Sequence, residues 1–171
     1  NDGYPDIYVT NWNSAILYHN NGDGTFRDVT AKAGVQNNHF GAGVAFVDYD
    51  RDGKLDLFVG NYLKFDPAAK KLYYSAEAFA GPLDYEGDAN RLFHNNGDGT
   101  FTNVAVEQGV AYGTNGDTPS AMGPIFADYN NDGALDLFVS DMRYHRLFKN
   151  APKEGSFVDT TLNSGIAQMT G

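Results

Sequence analysis

Asp48-Tyr49-Asp50-Arg51-Asp52-Gly53-Lys54-Leu55-Asp56 returns as Asp128-Tyr129-Asn130-Asn131-Asp132-Gly133-Ala134-Leu135-Asp136. The first copy sets four carboxylates within nine residues, where they repel one another unless a cation sits among them. Oxygen ligands at alternating positions are what a hard divalent ion such as Ca2+ collects. An EF-hand loop also uses positions one, three, five and seven with glycine at six, but it closes with a glutamate at position twelve and lies between helices. Here position twelve is Val59 or Val139, and the acid falls at position nine as Asp56 or Asp136. The Leu-Asp-Leu-Phe-Val stretch around that acid alternates and is rich in strand formers, so the loop is expected to join two β-strands.

Other landmarks recur in the same order. Leu17-Tyr18-His19-Asn20-Asn21-Gly22-Asp23-Gly24-Thr25-Phe26 returns as Leu92-Phe93-His94-Asn95-Asn96-Gly97-Asp98-Gly99-Thr100-Phe101, and in diverged form as Leu147-Phe148-Lys149-Asn150 running on to Phe157. Gly34-Val35, Gly109-Val110 and Gly165-Ile166 follow at a constant distance. One strand is expected before each acidic loop (Val44 to Val47, Pro124 to Ala127) and one after it (Ile7 to Thr10, Leu57 to Asn61, Leu137 to Ser140). A hairpin adds two more, turning at Asn-Gly-Asp-Gly, whose residues tolerate left-handed backbone. Four-stranded units with no helical periodicity between them predict an all-β fold of β-propeller blades, each of four antiparallel strands, with about three blades in this chain.

The expected organisation is an incomplete first blade over residues 1–40, a second over 41–120, and a third with the start of a next over 121–171. The middle unit is longer by about 30 residues, an insertion at about residues 63–89. Its Phe65, Tyr73, Tyr74, Phe79 and Tyr85, broken by Pro67 and Pro82, read as a self-packed surface loop or as a recognition loop on a rigid scaffold. Asn1-Asp2-Gly3-Tyr4-Pro5-Asp6 matches Arg51 to Asp56, as if a first loop had begun upstream. Three units do not close a propeller, so further blades of the same protein or of another chain are expected.

Composition narrows the function. Of 171 residues, 42% are hydrophobic and 14% aromatic, enough for a packed core. A formal net charge of -10 argues against nucleic acid, which needs clustered Lys and Arg. The chain has no cysteine, which excludes disulfides and thiolate metal sites, and no apolar run long enough to span a membrane as a helix. His19 and His94 share one repeat position, where the third copy carries Lys149, a pattern that suits a solvent-tolerant strand residue better than a catalytic pair. Neither His39 nor His145 gains a role from its sequence neighbours. Trp12, the only tryptophan, reads as a blade-packing residue or a stacking platform for a sugar.

Loop, hairpin and post-hairpin glycine, occurring together in register, resemble FG-GAP or VCBS repeats, and in particular the group of the cartilage acidic protein and its ASPIC/UnbV-related relatives. The resemblance implies an extracellular or surface-exposed β-propeller, with calcium loops like those of integrin α-subunits. Carried over, it makes Asp48, Asp50, Asp52 and Asp56 side-chain calcium ligands, with the carbonyl of Lys54. In the second loop it makes ligands of Asp128, Asn130, Asp132 and Asp136, with the carbonyl of Ala134. Asn130 departs from the acidic pattern and removes one charge. The first loop retains Asp2, Asp6 and the carbonyl of Tyr4 and is expected to be incomplete.

The favoured reading is a non-catalytic, calcium-binding scaffold for adhesion, matrix contact or assembly outside the cell, with a protein or glycan partner. Calcium activates water poorly beside zinc, and the loops fill their strong ligand positions from protein. A polysaccharide-lyase-like enzyme would need a basic and aromatic groove, for which only Arg143-Tyr144-His145-Arg146 offers a cluster. A lectin-like module would use the aromatics of the insertion.

Overall fold

A computed structural model describes residues 2–73, 76–152 and 155–166, apart from the side chains of residues 70–77 and 79. The chain is all-β, and its main sheets are meanders in which every strand pairs antiparallel with the next. The first sheet is β1 (Ile7–Val9), β2 (Ile16–Asn20) and β3 (Phe26–Asp28). The second begins with β4 (Gly41–Val47) and β5 (Asp56–Asn61). A separate hairpin of β6 (Lys70–Tyr73) and β7 (Ala76–Phe79) intervenes before β8 (Arg91–Asn95) and β9 (Phe101–Asn103) complete that sheet. The third is β10 (Ala121–Ala127), β11 (Asp136–Asp141), β12 (Arg146–Ala151) and β13 (Ser156–Asp159). These are partial-propeller blades, and β1, β2 and β3 correspond by sequence to β5, β8 and β9.

Sheets stacked face to face bury the middle strands on both sides, and all six residues of β5 are buried. Alternation then sends neighbours into different cores. Leu57 and Val59 join Tyr8, Leu17, Val35 and Phe93 between the first and second sheets. Phe58 joins Leu92, Leu137, Val139 and Phe148 between the second and third. Each such side chain contributes about 1.5–3 kcal/mol by leaving water.

The innermost strands start three residues earlier than their sequences indicate, at Gly41 and Ala121, and both carry an irregular register near that start. Pro124 is tolerated inside β10 because this strand pairs only with β11, so no ladder bond needs its nitrogen. A Cβ on Gly43 would lie 2.6 Å from the Gly123 Cα, so β4 and β10 meet backbone to backbone.

The post-hairpin glycines have two reasons to lack a side chain. Gly34 and Gly109 have φ of 75° and 72°, in the left-handed region. A Cβ there would also sit 3.2 Å from the Phe101 carbonyl oxygen and 2.9 Å from that of Phe157, each on the outer strand of the next sheet. Gly34 ends a single helical turn, α1 (Thr30–Ala33), too short to have a sequence period.

Within the insertion, the β6–β7 hairpin and a 3-10 turn at Pro82–Asp84 are gathered by a bridge between Leu63 and Gly87. Phe65 packs edge-on to Trp12 (5.3 Å between centroids) and lies against Phe40 and Tyr85, so Trp12 holds the insertion to the first sheet. The side chains of Tyr73, Tyr74 and Phe79 fall outside the described residues. If the β4–β10 contact fixes the spacing of adjacent sheets, Gly43→Ala should cost about 1–3 kcal/mol in urea unfolding. An unchanged midpoint would show that the two strands have room to part.

Candidate metal centre

The acidic loops connect β4 to β5 and β10 to β11, with a partial copy before β1. Position one folds each loop on itself. Asp48 Oδ1 and Oδ2 accept the N–H groups of Asp52 and Gly53, both at 3.1 Å. Asp128 accepts those of Asp132 and Gly133 at 3.1 and 2.8 Å. At position three, Asp50 Oδ1 or Asn130 Oδ1 accepts the position-five N–H. At position five, Asp52, Asp132 and Asp2 accept the N–H two residues on, from Lys54, Ala134 and Tyr4. This turn forces φ of 63° on Arg51 and 58° on Asn131, a conformation that asparagine bears more readily than arginine.

Position nine has a second task. Asp56 Oδ1 accepts the Asn95 N–H at 2.8 Å and Oδ2 the Tyr49 N–H at 3.3 Å. Asp136 accepts from Asn150 and Tyr129, and Asp6 from Asn20. The asparagine returns a bond from its amide to the carbonyl before the acid: Leu55, Leu135 or Pro5. Asn150 Nδ2 also donates to the Tyr49 carbonyl at 2.8 Å, tying the loop of one sheet to a strand of the next.

Asp48, Asp50 and Asp52 bring carboxylate oxygens within 4.8 Å of one another, and Asp50, Asp56 and His94 do the same with a ring nitrogen. Burial, then repulsion from Asp50, pushes the fully buried Asp56 carboxyl up to about 6 despite its N–H donors. Burial also raises Asp136. Asp52 is held low, first by its bond from the Lys54 ammonium, and Asp132 first by the Ala134 N–H. The fit to Ca2+ is better in the Asp48–Asp56 loop than in the Asp128–Asp136 loop. In the former every side-chain donor is a carboxylate with lone pairs remaining, and Asp56 is buried. In the second, Asn130 Nδ2 is buried without a hydrogen-bond partner. Exchanging its amide oxygen and nitrogen would present an oxygen there at the expense of the Asp132 bond. Tyr4 and Asp2 are exposed beside a partial loop.

The partly exposed strand residues at the shared repeat position lie against these loops. His94 Nδ1 lies 3.3 Å from Asp50 Oδ2 and 3.2 Å from Asp56 Oδ1. Lys149 Nζ is 3.5 Å from Asp132 Oδ2, and His19 sits between Asp2 and Asp6. Their shared repeat position, always a potential cation, was the signal. By contrast, Asp23 and Asp98 in the hairpin turns are engaged by Thr25 and Thr100 at 2.6 Å, as tight turns require.

The opposite ends of the sheets carry other polar chemistry. His39 Nδ1 meets Asp88 Oδ2 at 2.6 Å and its Nε2 meets the Arg91 guanidinium at 2.6 Å. Since arginine only donates, Nε2 accepts and Nδ1–H points to Asp88. The basic cluster is committed to structure as well. Arg143 donates to the carbonyls of Leu83 and Tyr85, His145 Nδ1 accepts the Asp141 N–H, and the buried Arg146 pairs with Asp117. Tyr144 projects, 57% exposed, and Arg143 beside it is exposed as well. Among the described residues, no helix is long and apolar enough to cross a membrane.

A model of the FG-GAP-like repeat family matches residues 1–59 and 76–139. Cartilage acidic protein 1 of Mus musculus is 32% identical over 171 aligned residues, covering 95% of this chain and 22% of the mouse protein. The Homo sapiens protein of that name is 31% identical with the same coverage, and that of Xenopus tropicalis 29% identical over 165 residues, covering 90% and 21%. The chain thus spans about a fifth of the length of these relatives. With its acidic loops, hairpins and glycines in register and most of its length matched, the chain belongs to the FG-GAP-like repeat family.

Proposed function

We propose that this chain is a calcium-stiffened, non-catalytic segment of a β-propeller that serves as a scaffold for adhesion, matrix contact or assembly outside the cell. The observation that carries the calcium reading is the loop geometry repeated at Asp48–Asp56 and Asp128–Asp136, with a buried carboxylate at position nine in each. Asp48, Asp50, Asp52 and Asp56, with the Lys54 carbonyl, would hold one ion. Asp128, Asn130, Asp132 and Asp136, with the Ala134 carbonyl, would hold a second more weakly. Bound calcium supplies charge compensation and fixes the turn. Partly exposed loops of modest affinity suit compartments rich in calcium, which supports a place outside the cell. The name of the cartilage relatives agrees with a matrix role.

A scaffold needs a recognition surface, and the insertion, held by Trp12 and Phe40, supplies the most distinctive one for a protein or glycan partner. The structural bonds of Arg143, His145 and Arg146 favour the non-catalytic reading over the lyase-like one.

Calcium at a hundredfold excess over Kd should stabilise the chain by about 2.7 kcal/mol per site. That corresponds to a melting temperature about 5–10 °C lower in EDTA than in millimolar calcium. Equal melting temperatures would refute structural calcium.

The pH response follows from Asp56, whose folded value near 6 stands above its ordinary 3.8. Its ionisation therefore penalises the metal-free fold above about pH 6, and the penalty disappears below about pH 4. In EDTA, wild-type stability relative to Asp56→Asn should fall as pH rises from about 4 to 7. In calcium it should rise over the same range, because the ion binds the ionised carboxylate. Urea melts across pH measure both, and a flat difference in EDTA would show a solvated Asp56.

A further inference from the structure

We propose that His94 makes the loop between β4 and β5 a site for a borderline transition-metal ion such as Zn2+ or Co2+, bound by Asp50, Asp56 and His94. Imidazole is a poor partner for calcium, which takes oxygen, and a good one for zinc or cobalt. The His94 ring is half-buried, but its Nδ1 is sealed from solvent and forms no hydrogen bond. Yet it lies 3.3 Å from Asp50 Oδ2 and 3.2 Å from Asp56 Oδ1, so neither oxygen stands where the ring N–H could bond it. Donor atoms so spaced are spanned by metal bonds of about 2.1 Å at an angle of about 100°, between octahedral and tetrahedral. The buried Asp56 forms the floor, fixed by the Asn95 and Tyr49 N–H groups, and the exposed Asp50 leaves an entry from solvent.

The other two loops lack this arrangement for visible reasons. His19 reaches Asp6 with Nδ1 but Asp2 with Nε2, at 3.2 and 3.7 Å, and one ion cannot be bound through both edges of a ring. The third loop replaces the imidazole with the Lys149 ammonium and the carboxylate of Asp50 with the amide of Asn130. The site shares Asp50 and Asp56 with the calcium loop but does not rest on the calcium reading.

Calorimetric titration of the whole chain with Zn2+ in calcium-free buffer, with Co2+ absorption as a second readout, tests the assignment. Wild type should bind an ion that acquires the d–d spectrum of nitrogen and oxygen ligation. His94→Ala and His94→Gln should each weaken it about tenfold or more, His19→Ala should not, and calcium should compete. Absence of Zn2+ binding in wild type, or equal binding in both His94 variants, would overturn the proposal. Melts of His94→Ala in calcium and in EDTA separate the two readings. An EDTA-insensitive chain that still binds Zn2+ through His94 refutes structural calcium and leaves this site standing.

Discussion

The architecture depends on a carboxylate taken out of water. At position nine of each acidic loop an aspartate accepts the N–H of an asparagine near the end of a neighbouring strand: Asp56 with Asn95 and Asp136 with Asn150, both carboxylates buried, and Asp6 with Asn20, where the carboxylate is exposed. That bond closes the loop, sets where the hairpin begins and fixes the register between the strands. It also creates an electrostatic debt, since two N–H donors stabilise the carboxylate less than burial and its acidic neighbours destabilise it. The chain places basic side chains around these loops: His94 beside Asp56 at position nine, and Lys149 and Lys54 beside Asp132 and Asp52 at position five.

Adjacent sheets are joined by absences as much as by contacts. Gly43 admits Gly123, while Gly34 and Gly109 admit the carbonyls of Phe101 and Phe157. Between these close approaches lie buried side chains from both sheets, and the Asn150 bond to Tyr49 crosses the joint at the loop end. Tyr49 itself is buried against Phe157 at 5.9 Å, so the acidic loop is part of the contact between sheets. Stiffening that loop would therefore stiffen the joint.

Much of this could be read from the residues because the repeat marks equivalent positions independently of burial. The loops, the meander and the all-β class follow from spacing and alternation, and Gly34 and Gly109 were visible as landmarks, though not as contacts. What failed was local pattern where an element from elsewhere covers a surface. His94 alternates outward from β8 and so reads as solvated, yet the loop before β5 folds over it. His39 has no acid close in sequence because Asp88 comes from the far side of the insertion. Glycine and alanine mark strands poorly, so local pattern places the starts of β4 and β10 three residues late, and a one-turn helix has no period to detect.

The two ends of the sheets obey different rules. At the loop end, the aspartates at positions five and nine and the asparagine that engages position nine recur in all three copies. At the other end equivalent positions diverge. Asn37, ahead of β4, bonds to Asn61 at the end of β5, whereas the equivalent Asp117 and Asp141 face Arg146, which offsets their charge. A neutral pair and an ionic cluster thus occupy one structural place, so this end is free to vary in a way that the loops are not. The insertion emerges here, after Asn61, and is anchored through Asp88, His39 and Arg91. The insertion therefore lies at the end of the sheets opposite the acidic loops, away from the buried carboxylates of Asp56 and Asp136.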